Sequence, residues 1–271
     1  MNNIQFQNGN NAIEKVAFIF ILSEPINNVV VKNVITNYQN TPDMIAKLPR
    51  CQPQNMISFQ IGGMMEQPQN MTSPMMNGVI FDSLLPDGRQ KWFVNLANNF
   101  LTIGCSDYTR WDEVWSMVKE YMNFFMPALE GNSIQEIGIE YIDEFKISDI
   151  LKDWKKELFR ENNDFVPKHI WSKNDFWHIH QGYFESDGHK NLNNINMNYF
   201  LDEKMNHKVV IQTHHKTTCS NLIQVSSDLA GVMSLIEPII EQNHLLNKEI
   251  MHNLLSSGIC ERMKLELKNE A

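Results

Sequence analysis

The segment from Ser133 to Phe145, SIQEIGIEYIDEF, limits the fold more than any other stretch of the chain. Ile137, Ile139 and Tyr141 share one face of an extended backbone, while Glu136, Glu140 and Ile142 share the other. Successive strand side chains point to opposite faces, so the pattern predicts a half-buried strand. The 271 residues, 42% hydrophobic and 20% charged, suffice for one large domain or two fused halves around a sizeable core. Neither disulfides nor a structural metal is needed to hold it.

Turn chemistry places further strands. Val79 to Leu85 runs into Pro86-Asp87-Gly88, where Pro presets φ and Gly accepts a positive φ. Lys91 to Leu96 and Phe100 to Cys105 flank Ala97-Asn98-Asn99 as a hairpin. Lys15 to Ile35 reads as a strand, a turn at Pro25 and a further extended or helical piece, behind a loose polar leader over residues 1–12. A helix opens at Thr109 and Asp112 in the manner of a capping box, and Pro127 stops it near Met126. Trp111, Trp115, Val118, Met122 and Phe125 form its apolar stripe. Ser148 to Arg160 reads as a short helix, with Lys152, Lys155, Lys156 and Arg160 as a solvated face. The Met-rich stretch Gly62 to Gly78 reads as a mobile loop.

The second half repeats this outline. Strands are predicted at Phe176–Phe184, Asn194–Leu201, Lys208–Thr217 and Leu222–Val225. A helix follows from Ser227 or Asp228 to Leu246, broken or kinked near Pro238, and its path continues from Asn247 to Leu255. Ser256-Ser257-Gly258 interrupts it before a charged end. The predicted fold is α+β: a meandering antiparallel sheet with long helices packed on one face. The chain reads as a single domain over 1–271, with two similar halves near 13–147 and 148–271.

Composition and charge exclude several functions. Lys and Arg number 23 against 32 Asp and Glu, a net charge of −9, so the chain's own surface does not suit nucleic acid. The longest apolar run, Val16 to Leu22, falls far short of the roughly 18 residues of a membrane span. The N-terminus has no export signal, and Cys51, Cys105, Cys219 and Cys260 show no metal or disulfide spacing; reduced thiols in a cytoplasm are expected. No phosphate-cradling loop, nucleophile elbow or H-E-x-x-H is present. His178 and His180 project together from one strand, and His214 lies on another, which would suit a metal-dependent hydrolase if they converged. Glu136 and Glu140, followed by Asp143 and Glu144, read either as paired acid and base groups or as charge guarding a strand edge. Trp111, Trp115 and Trp177 would line a ligand pocket if sheet and helices brought them together.

Three stretches from Phe100 onward stand out: Asp107-Tyr108-Thr109-Arg110-Trp111-Asp112-Glu113-Val114; Ile134 to Asp143; and the C-terminal helix from Leu246 to Arg262 with its serine-containing break. In these the chain resembles a sporadically distributed family of bacterial and archaeal proteins. Glu136 and Glu140 stand where the family pattern has basic residues, and Asp143 where it has asparagine. The resemblance implies a patchy distribution of the kind seen for defence and conflict genes, and no reaction.

The expected function is a non-catalytic protein-interaction component: an accessory, immunity or antitoxin-like protein of a bacterial defence system, docking by an acidic surface. The alternatives are a small-ligand sensor and a metal-dependent hydrolase using His178, His180 and His214. No residue is assigned a catalytic, cofactor-binding or metal-binding role, no cofactor is called for, and enzymatic activity stays undecided. A protein partner is expected and a membrane is not; self-association is left open.

Overall fold

The computed structural model describes residues 3–6, 11–55 and 76–267. Ten strands join in one antiparallel sheet: β1 (Ile4–Phe6), β2 (Ile13–Leu22), β3 (Arg50–Asn55), β4 (Met76–Leu84), β5 (Gln90–Ala97), β6 (Phe100–Cys105), β7 (Ser133–Ile147), β8 (Trp177–Asp187), β9 (His189–Leu201) and β10 (His207–Gln224). Their order is β3-β4-β5-β6-β2-β7-β10-β9-β8, with β1 paired to the end of β7. On either side of the β2–β7 pair, a meander returns its last strand, β6 or β10, beside its first. The helices are α1 (Asn28–Gln39), α2 (Pro42–Lys47), α3 (Trp111–Phe125), α4 (Trp154–Leu158), α5 (Lys168–Trp171), α6 (Leu229–Leu254) and α7 (Ser257–Met263).

Local chemistry explains most boundaries. Asn27 caps α1 by accepting from the backbone N–H of Val29 and Val30, and Asp228 caps α6 through the N–H of Gly231. Gly88 takes φ +87° in the turn between β4 and β5, where a Cβ would be strained. The predicted Thr109 cap is not formed. Thr109 Oγ1 donates to Glu113 instead, and Asp112 and Glu113 in the first turn of α3 favour the helix dipole.

Several expectations need correction. The long helices reduce to one, α6; α3 spans 15 residues and the rest are shorter. The polar leader contains a strand, because Ile4 and Phe6 bury against β7. That strand also explains why Ser148–Arg160 is not a continuous helix. Asn3 takes the backbone N–H of Ser148 and Asp149, so only Trp154–Leu158 winds up. The strand expected at Leu222–Val225 is the end of β10, beyond an irregularity between Thr218 and Ile223. The predicted loop Gly62–Gly78 lies outside the described residues up to position 75; from Met76 the chain is β4.

Two buried clusters form the core. The first joins Val16, Phe18, Phe20 and Leu22 of β2 to α3 and to Val232, Ile236 and Ile240 of α6. The second joins Phe145 and Ile147 to Ile195, Met197, Val209 and Ile211, and to Ile250, Met251 and Leu254 at the other end of α6.

Candidate functional site

Between the two clusters runs a seam of buried polar side chains. On β7 it begins at Asp143, on β10 it contains Thr213, His215 and Thr217, and on β9 it contains Asn191 and Asn193. From α6, Asn243 and Asn247 lie over it, one helical turn apart. These positions share the covered parity of their strands, so the sheet's pleat aims polar groups into the core.

His215 is the hub. Its Nδ1 lies 3.0 Å from Asn193 Oδ1, and its Nε2 lies 3.2 Å from Asn247 Oδ1, which also receives the Thr213 hydroxyl at 2.6 Å. Asn193 Nδ2 donates to Glu185 Oε2 at 2.9 Å, and Thr217 Oγ1 donates to Asn243 Oδ1 at 3.2 Å. Burial pushes the His215 imidazole down to about 4, so the ring is neutral at pH 7. A neutral ring donates from only one nitrogen. Asn193 already spends its amide nitrogen on Glu185, so its Oδ1 accepts the Nδ1 proton.

Asp143 is almost fully buried, and burial lifts its carboxyl to about 7. Its Oδ2 has no hydrogen-bond partner among the described residues, and neither do Asn191 Oδ1 and Asn243 Nδ2. Beside it, Tyr141 Oη lies 2.8 Å from His244 Nδ1, and the His244 ring stacks on Trp111 at 3.7 Å. Trp111 Nε1 donates to Glu241 at 3.0 Å and Trp115 Nε1 to Glu237 at 2.9 Å. The field of Asp143 reaches Tyr108 and Tyr141; burial, before that field, raises both phenols. Tyr108 lies just before α3 and Trp111 opens it, while Tyr141 and Asp143 come from β7 and His244 from α6. They meet at one end of the seam.

No protein-family model, curated protein or solved structure matches the chain. The site is therefore read from its geometry alone.

The histidines singled out in the sequence do not converge. His178 and His180 are exposed on β8 with rings 6.4 Å apart, and His178 bonds Asn198 of β9. His214 pairs with Glu140 and with Asn194, so β9 stands between it and β8, a separation of about 10 Å. Among the described residues, no three His, Cys, Asp or Glu side chains group as metal ligands. The three tryptophans separate too. Trp111 and Trp115 stack 6.0 Å apart in the first cluster, whereas Trp177 packs on Trp154 and Tyr199 in the second.

Glu136 and Glu140 do not guard an edge, because β7 lies between β2 and β10. Glu136 accepts from Lys216 at 2.8 Å, and Glu140 from Gln212 at 3.0 Å. Gly138 between them makes room for His214, whose Nε2 would lie 3.1 Å from an added Cβ. Sequence reasoning missed the seam itself. The signal was available in Asn191 and Asn193, and in Thr213, His215 and Thr217, which recur at the parity of a covered strand face.

Proposed function

We propose that this chain is a non-catalytic protein-interaction component, of the accessory, immunity or antitoxin type of bacterial defence systems. Its docking surface would be the side of the sheet away from the helices. One observation carries the reading: the layering of the molecule. Tyr38 of α1 packs on Phe81, Trp115 of α3 on Phe18, Trp154 of α4 on Tyr199, and His244 of α6 on Tyr141. All four strand partners belong to the same row of side chains. The opposite row, including Ile19, Ile21, Ile142, Val210 and Leu192, is half-buried with no described helix above it. Apolar residues there alternate with in-plane pairs such as Glu136–Lys216 and Glu144–Lys208. An apolar surface rimmed by polar groups is the usual mark of a protein contact. The acidic character expected of the surface is moderated by these pairs, so apolar burial would supply affinity and the net charge would steer encounter.

The test is native mass spectrometry of the protein captured gently from its host, beside Ile21→Lys and Ile142→Lys variants. A second protein at a fixed ratio, lost in both variants but kept in Leu235→Lys on the exposed side of α6, supports the proposal. No partner, or capture indifferent to the sheet variants, sinks it. A second reading, a small-ligand sensor, is favoured by the orphan polar atoms of the seam. Weighing small molecules released on denaturation addresses it. No described helix is long and apolar enough to cross a membrane.

A further inference from the structure

The two edges of the sheet differ. β3 is six residues long, contains Pro53 with no N–H to offer, and shifts register at Gln54/Asn55. That is how an edge is blunted against pairing with another chain. β8 has none of these devices. It spans 11 residues, keeps continuous register with β9 from Trp177↔Tyr199 to Asp187↔His189, and contains no Pro, Lys or Arg. Its outward row, His178, His180, Gly182 and Phe184, is exposed, with Phe184 at 63%.

We propose that β8 is a homodimer interface, in which the β8 strands of two copies pair antiparallel about a two-fold axis through Gln181 and join two sheets into one. This surface is separate from the docking face proposed above. Antiparallel partners share a sheet face, so the helices of both copies stay on one side only if paired residue numbers have the same parity. Centring on Gln181 sets His178 against Phe184, His180 against the bare Gly182, and Ile179 against Tyr183 of the second copy. Centring on His180 would set that histidine against its own copy and Ile179 against Gln181. Centring on Gly182 would set Ile179 against Glu185 and leave glycine facing glycine.

The area also favours a second copy over an isolated peptide. An edge of 11 residues is about 37 Å long, and a sheet with one helical layer is about 20 Å deep. Two copies would bury about 1,500 Å² in total, the size of an ordinary stable interface. A single extended peptide would cover the ladder and little of the depth. The isologous contact also closes, so it gives a dimer and not a fibre.

The experiment is light scattering behind size exclusion on the full chain across a dilution series. Wild type should run at twice the chain mass. H178K/F184K places like charges opposite each other and should give monomer, whereas H178K/F184E places opposite charges there and should restore the dimer. Both positions are exposed, and far-UV circular dichroism checks that each variant is folded. A wild type that is monomeric throughout overturns the proposal. So does a dimer that H178K/F184K leaves intact, or one that H178K/F184E fails to restore. Partner capture is read separately, so a monomer that still captures its partner overturns the dimer alone.

Discussion

Asp143 and His215 sit in one seam and drive stability in opposite directions with pH. The Asp143 carboxyl is raised from 3.8 to about 7, so the folded state holds its proton where the unfolded chain has lost it. Its contribution is intact below the unfolded value and is lost as pH rises through about 7. Asp143→Asn removes that loss and should raise stability relative to wild type by about 4 kcal/mol near pH 8, with little difference near pH 4. Urea midpoints of both proteins across pH measure this; equal midpoints near pH 8 would contradict the burial of an unpartnered carboxyl. His215 is lowered from 6.5 to about 4, so its contribution is complete above 6.5 and is lost as pH falls through about 4. With Asp143 removed, the remaining profile should rise by about 3 kcal/mol between those limits. Replacing His215 by Gln in that background should flatten it. The sequence placed Asp143 on a half-buried strand, but only packing shows that no donor waits for its second oxygen.

At the scale of elements, α5 shows how one side chain can hold a segment too short to hold itself. Lys155, read from its charged surroundings as part of a solvated face, is buried. Its ammonium donates to the carbonyls of Ile170 at 3.1 Å, Trp171 at 3.2 Å and Lys173. Three carbonyls in the last turn of a four-residue helix and just past it thus share one cation. Lys155→Met keeps most of the apolar stem but strands those carbonyls, and should cost about 2–3 kcal/mol. The nearby indoles of Trp154 and Trp177 provide the fluorescence readout. Periodicity alone could not find this, because the receiving carbonyls lie 15 residues and more along the chain. By contrast, β7 was legible from its alternation, and the stripe of α3 from its helical spacing. Both are local patterns that tertiary contacts reinforce.

For the whole molecule, the polar seam divides the apolar core, and three elements cross the division. β7 and β10 run through both clusters, and α6 supplies Ile236 and Ile240 to one and Ile250 and Leu254 to the other. A shared helix and two shared central strands should couple the halves. Far-UV circular dichroism and tryptophan fluorescence should therefore report one unfolding midpoint. Distinct midpoints would show that the seam uncouples the clusters. The same layering leaves one sheet face with no described helix above it, and at one end of the sheet the unblunted edge strand β8.

The sequence by itself determined most of the strands and turns, though not β1 or β3, and the antiparallel α+β class, because these follow from side-chain parity and from Pro, Gly and Asn at turns. It left the seam unread, although the Asn and Thr side chains of β9 and β10 recur at the parity of a covered face. Tertiary structure decided strand order, made β7 central and kept His178 and His180 apart from His214. It also drew Asp143, Tyr141, His244 and Trp111 together from segments far apart in the chain. The physical reason is that parity fixes which face a side chain takes, whereas its neighbours across the sheet depend on which strands pair. Strand pairing is settled by long-range burial and hydrogen bonding that no local window contains.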